Sequence, residues 1–371
     1  MDPRHRIDDT SELISPALVF FEPLIRENLA QMIRIAGGAK RLRPHCKTHK
    51  TDAITRIELS MGITRHKCAT LAEAEMLAEA GVRDVFLAYN LVGPNITRAV
   101  RFLRRYPRVR LSVSADHHGP IDALAKAMRD AGLCIDVLLD IDSGQHRTGV
   151  APGTDALALY QRIVDSEGLN AAGLHLYDGH NHQRDPAERR AAVMACWQDC
   201  VGLRDRLLAR GWPVPGIVAG GTGSFPVFAG IDDPTLELSP GTCVLHDAGY
   251  ADDFPDMRFA NAAMILTRVV SKPGTDIITL DLGTKACAAD PPAGHRLSFP
   301  TLPDAVELLH NEEHLVLRSE GARDLLPGDE LLAIPRHICP TSALHKAAFV
   351  VRDGQLIDRW PISARDRWLS L

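Results

Sequence analysis

Lys47 stands in the run Arg43-Pro44-His45-Cys46-Lys47-Thr48-His49-Lys50, at the end of a β-like segment. A lysine leaving a buried strand end loses solvation, which lowers its pKa and frees the amine for Schiff-base chemistry. Lys50 and Arg43 push the same way by like-charge repulsion. A surface loop with ordinary solvated lysines fits that position equally well. A second group is Gly220-Gly221-Thr222-Gly223-Ser224. Glycines let backbone N–H groups approach a phosphate, and the hydroxyls of Thr222 and Ser224 add donors. The alternative is a plain glycine turn. A reactive lysine facing a phosphate cradle points to pyridoxal 5′-phosphate (PLP), with Lys47 as its Schiff-base residue.

A third group is Pro335-Arg336-His337-Ile338-Cys339-Pro340-Thr341. On an extended segment residues two apart face one side, so His337 and Cys339 can hold one ion. Imidazole plus thiolate suits zinc, and two protein ligands leave positions open for water and substrate. Alone, an HxC pair more often reflects packing. Two more polar clusters are Asp140–Gly149 and His175–His180. Arg147 could hold an anionic oxygen and Tyr177 could lie against a cofactor ring; either could instead cap a helix or bury a hydrogen bond. His175, His180 and His182 also admit a lesser metal reading. Cys196 and Cys200, one helical turn apart, read as small buried residues.

The elements that must position these groups alternate in type. β-like runs fall at 41–47, 65–69, 84–90, 108–114, 134–142, 171–177, 216–220 and within 236–247. Between them lie amphipathic stretches such as TLAEAEMLAEAG and PIDALAKAMRDAG, stopped by Gly81 and Gly132. Eight such units predict an α/β fold, a parallel (β/α)8 TIM-like barrel over residues 25–245. A doubly wound sheet is the alternative. In a barrel, reactive groups sit at strand C-termini and phosphate sites follow strands seven and eight. From residue 246 to 371 the texture changes to strands joined by Gly, Pro and Asp turns, a β domain that residues 1–24 are expected to join.

The chain has 371 residues, 42 Lys plus Arg against 47 Asp plus Glu, and a formal charge of -5. That balance, with 5% aromatic residues, argues against nucleic acid as partner. No apolar run is long enough to span a membrane, and the charged opening segment does not resemble a signal peptide. The expected location is the cytoplasm. Eight scattered cysteines with no CxxC pair are not a disulfide framework.

Taken in order, RPHCKTHK, DSGQHRTG, HLYDGH, AGGTGS, DLGTKA and HICPT resemble the D-serine dehydratase and D-threonine aldolase family, PLP enzymes of alanine-racemase-like fold. The resemblance spans nearly the whole chain. It implies that Lys47 carries the cofactor, that Gly221, Thr222 and Gly223 bind its phosphate, and that Arg147 and Tyr177 flank it. It further implies that His337 and Cys339 hold the metal, with Asp281 and Lys285 nearby, although Lys285 also fits a surface salt bridge. A homodimer is expected on the same ground.

Family aldolases typically show a carboxylate where this chain has Cys339, so the resemblance points first to a zinc-dependent D-serine dehydratase releasing a 2-oxo acid and ammonia. A zinc-bound hydroxyl is a better leaving group. The alternative is a D-threonine or 3-hydroxy-D-aspartate aldolase using zinc, manganese or magnesium. Other classes are a non-catalytic PLP-binding protein, a racemase, for which Tyr250 is thin support as second base, and a Schiff-base aldolase without PLP.

Overall fold

Strand β1 (Ala17–Phe21) is buried along its whole length and leads into helix α1 (Glu22–Ala36). In this computed structural model, which describes residues 2–371, the chain divides into two units. One comprises Ile33–Lys47, Asp52–Gly241 and Asp366–Leu371; the other comprises Met1–Met32, Thr48–Thr51 and Thr242–Arg365.

The first unit is the barrel. Its helices are α2 (Asp52–Ser60), α3 (Leu71–Ala80), α4 (Pro94–Arg105), α5 (His118–Ala131), α6 (Thr154–Asp165), α7 (Pro186–Leu208) and α8 (Phe225–Ala229). They alternate with β2 (Arg65–Cys68), β3 (Asp84–Asn90), β4 (Arg110–Ala115), β5 (Ile135–Ile141), β6 (Leu169–Leu176), β7 (Ile217–Ala219) and β8 (Leu236–Leu238). All seven strands pair in parallel and in sequence order. Such strands are covered on both faces and carry many apolar positions; Phe86, Leu138, Ala172 and Val218 form one buried cluster. The expected helix stops hold: Gly81 (φ 108°) and Gly132 (φ 67°) end α3 and α5 in the left-handed region that favours glycine.

The eighth barrel position departs from the strand expected over 41–47. It consists of two isolated parallel bridges, Leu42 to Leu238 and His45 to Lys67. Arg43 N–H donates to Leu238 O and His45 N–H to Pro240 O, each at 2.8 Å, while Lys67 N–H donates to Pro44 O at 2.8 Å. By alternation the side facing β2 is the one on which Pro44 lacks a donor, so a continuous ladder cannot form there. Lys47 consequently lies in a tight 3-10 turn, Cys46–Thr48, and not at the end of a regular strand.

The second unit contains α9 (Ala248–Asp253), α10 (Ile338–Leu344) and the strands β9 (Ala263–Ser271), β10 (Ile277–Leu280), β11 (Leu297–Ser298), β12 (Val306–His310), β13 (Leu315–Arg318), β14 (Glu330–Pro335), β15 (Ala347–Arg352) and β16 (Gln355–Pro361). The sheet runs β12-β13-β10-β9-β1-β15-β16, with β14 also on β9 and β11 on β14. β1 lies parallel to β15 and antiparallel to β9. Ile265, Ile278, Leu280, Leu315 and Leu331 belong to its core. Among the described residues no helix is long and apolar enough to cross a membrane.

Candidate active site

In the barrel unit two of the expected residues, Arg147 and Gly221, lie against the ring of a third, Tyr177. The Arg147 guanidinium lies 4.9 Å from the centroid of Tyr177. Gly221 packs against the same ring: a Cβ there would come within 3.0 Å of Tyr177 Cε2. Gly179 is tighter still, its Cβ falling 2.4 Å from Cε1. The aromatic plate and the glycine turn after β7 therefore fit closely: a side chain at Gly179 would force the ring to shift, and one at Gly221 would press on its edge.

The turn is held from within. Ser224 Oγ donates to Asp178 at 2.7 Å and accepts from Gly221 N–H at 3.1 Å. Asn181 donates to the other Asp178 oxygen at 3.1 Å. Burial pushes the Asp178 carboxyl up against these hydrogen bonds. Ser224 is thus committed inside the turn, which corrects the expectation that it adds a phosphate donor. Thr222 Oγ1 accepts from Gly241 N–H at 3.2 Å.

Below the ring lies a buried polar pair. His175 Nδ1 is 2.7 Å from Asp140 Oδ1. Burial pushes the imidazole down, while Asp140 is held below its ordinary range, despite its own burial, mainly by His175. The arrangement is a neutral imidazole donating to a carboxylate. His175 Nε2 is buried and has no hydrogen-bond partner among the described residues. The pair with Asp140 gives His175 a structural role that competes with metal binding. A second lysine, Lys67, completes the cluster: it is 2% exposed, its amine 5.6 Å from the Tyr177 centroid.

These residues fit PLP. The site offers a glycine cradle that side chains would fill, an orphaned buried ring nitrogen, an aromatic plate, and cationic Lys47 and Arg147 for an anionic cofactor.

In the other unit the HICPT segment is not extended. His337 is the extended N-cap (φ -132°, ψ 98°) of α10, and Cys339 lies in its first turn. The two side chains nonetheless meet: burial opposes the charge on His337, but its hydrogen bond to Cys339, with Asp290, pushes the imidazole up to about 9. His337 Nδ1 is 2.5 Å from Asp290 Oδ2. The hydroxyls of Thr48 and Thr242 lie 3.2 and 3.5 Å from Cys339 Sγ. Asp247 fixes the turn, accepting from Ile338 N–H at 3.0 Å and Tyr250 N–H at 2.9 Å. Imidazole, thiol and a carboxylate orienting the far ring nitrogen fit a divalent, borderline-soft cation.

Sequence reasoning left Lys67, Asp178, Asp247 and Asp290 without roles. Each is defined by a contact across 40 or more residues or by burial, so no local pattern marks it. Asp281 is half-buried and accepts hydrogen bonds from the Thr267 and Ser15 hydroxyls and from Arg268 N–H. Lys285 is exposed and paired with Glu312 at 2.8 Å and Glu313 at 3.1 Å, the surface reading. His45, Cys46 and Glu73 also bring ligand atoms within 4.8 Å of one another; Glu73 there closes the start of α3 by accepting from Ala69 N–H at 2.6 Å.

Residues 23–223 match the family model for the alanine racemase N-terminal domain, and residues 262–351 match the putative serine dehydratase domain. The chain is 33% identical over 372 residues to a D-threonine aldolase of Arthrobacter sp, covering 98% of this chain and 94% of that one. It is 26% identical to D-threo-3-hydroxyaspartate dehydratase of Delftia sp., covering 95% and 98%. A crystal structure of D-threonine aldolase from Filomicrobium marinum superposes with a TM-score of 0.87 at 30% identity, covering 95% of this chain and 96% of the other. With the barrel, the β domain and these full-length likenesses in hand, the chain belongs to the D-serine dehydratase and D-threonine aldolase family, PLP-dependent lyases of alanine-racemase-like fold.

Proposed function

We propose that the protein cleaves a D-configured β-hydroxy amino acid of the threonine type to glycine and an aldehyde. The observation that carries this reading is the 33% identity with a D-threonine aldolase over 98% of the chain. It displaces the D-serine dehydratase expectation, which rested on Cys339 alone.

PLP, when bound, supplies an electron sink for negative charge at the substrate α-carbon. Lys47 would hold the cofactor, and its amine would return a proton to the α-carbon of the departing glycine. Tyr177 and Arg147 would hold the ring and an anionic oxygen, and the Gly221–Gly223 backbone with Thr222 would receive the phosphate. His337 and Cys339 would hold a divalent cation, zinc by their donor chemistry, which lowers the pKa of a coordinated hydroxyl. Cleavage breaks the Cα–Cβ bond: the β-hydroxyl gives its proton to solvent and becomes the aldehyde carbonyl, while the electron pair stays at the α-carbon, which takes the proton from Lys47.

Cys339 favours a second reading, dehydration to a 2-oxo acid and ammonia, because a zinc-bound hydroxyl is also a leaving group. D-Threonine separates the two in one reaction. Cleavage gives glycine and acetaldehyde, the expected result, whereas a predominance of 2-oxobutyrate and ammonia would establish the dehydratase. L-Threonine should give neither.

A further inference from the structure

Lys67 takes no part in the chemistry above. It sits on β2, bridged to His45, two residues before Lys47. Its side chain is 2% exposed, yet among the described residues its amine has no hydrogen bond or ion pair, only the Tyr177 ring face at 5.6 Å. An isolated buried ammonium is costly unless something compensates it. Burial first, then Lys47, Arg147 and Arg43, push this amine down to about 7, against Asp140.

The surrounding charges do not balance. Arg43 is neutralised by Asp84 at 2.7 Å and by Glu237. Of the charges that act most on Lys67, Lys47 and Arg147 are then opposed by Asp140, one oxygen of which already lies 2.7 Å from the His175 ring. The other groups around Lys67, the Tyr177 ring and neutral His175, bring no negative charge. A surplus of cationic groups, of which the buried Lys67 is the one without a polar partner among the described residues, marks an anion site. We propose that Lys67 is a further cofactor-binding residue, its amine donating to an anionic oxygen of PLP. This rests on the PLP reading of the barrel. An anion beside Lys67 draws a proton onto it and removes the cost of its burial.

The test uses apoprotein and 4-deoxypyridoxine 5′-phosphate, which lacks the aldehyde and so cannot be captured by Lys47. Lys67→Met keeps the length and apolar stem without the charge; Lys67→Gln keeps a neutral donor. Affinity is measured by fluorescence titration, with circular dichroism confirming the fold of each variant. Lys67→Met should bind the probe about tenfold or more weakly, and Lys67→Gln should fall between it and the wild type. Parallel loss of inorganic phosphate binding would place the amine on the phosphate; loss confined to the pyridine probe would place it on the ring oxygen. Either supports the proposal. Equal binding by wild type and both variants overturns it. No binding by the wild type overturns the PLP reading itself, a separable outcome.

Discussion

Ser224 and Asp178 are joined at 2.7 Å, the hydroxyl donating to a carboxylate 1% exposed. Since the same hydroxyl accepts from Gly221 N–H at 3.1 Å, this pair sets the shape of the turn after β7 before any phosphate arrives. The cradle is built from the inside, and Asp178 is its support.

Removing that support should cost stability before it costs affinity. Ser224→Ala strips a donor from a buried carboxylate, a loss of about 1–3 kcal/mol. Thermal melting of the apoprotein should fall by several degrees, with PLP affinity weakened less than in a variant of the turn's backbone. An unchanged melting temperature would mean that Asp178 is satisfied by other groups.

Gly221→Ala should do the reverse. The new methyl would approach Tyr177 Cε2 at 3.0 Å, while the backbone at Gly221 is not in the left-handed region. Displacing the ring should weaken PLP retention about tenfold, or ~1.4 kcal/mol. The apoprotein should melt close to wild type. Equilibrium dialysis against PLP measures the first quantity and calorimetry the second.

Acid should act through His175. Burial lowers its pKa below 6.5, so the unfolded chain takes up a proton that the fold excludes. The stability this group contributes is complete above 6.5 and declines as the pH falls below it. Asp140, lowered from 3.8, adds a further loss only at still lower pH. Melting of His175→Gln should therefore fall less than wild type between pH 7.5 and 5. Parallel curves would show that His175 is not a source of the acid sensitivity.

Metal removal should spare the fold. His337 and Cys339 are anchored by protein contacts, Asp247 to Ile338 N–H and Asp290 to the imidazole. Chelation should abolish turnover while the bound-PLP spectrum and melting temperature stay near their starting values. Full activity in chelator, with no metal by elemental analysis, would remove the cation from the account.

The barrel was legible because its signals are local: β3 falls on the predicted 84–90, and Gly81 and Gly132 stop helices where their φ values require glycine. The turn at Lys47 was less so, since Pro44 breaks a ladder whose partner strands lie far away in sequence. HICPT illustrates a right pairing from a wrong premise. Residues two apart do share a side on a strand, but here a helix N-terminus brings imidazole and thiol together. Asp178, Asp290 and Lys67 were invisible for a common reason: their meaning lies in what faces them across the fold, and a carboxylate or lysine in sequence carries no record of its partner.

The central claim is that Lys47 carries PLP, and borohydride reduction followed by peptide mapping tests it directly. The protein as purified should absorb in the visible, lose that band on reduction, and yield a single phosphopyridoxyl-modified peptide containing Lys47. Lys47→Ala should show neither the band nor turnover. Label on Lys67 or Lys50, or a protein with no cofactor absorbance that still cleaves D-threonine, would contradict the account.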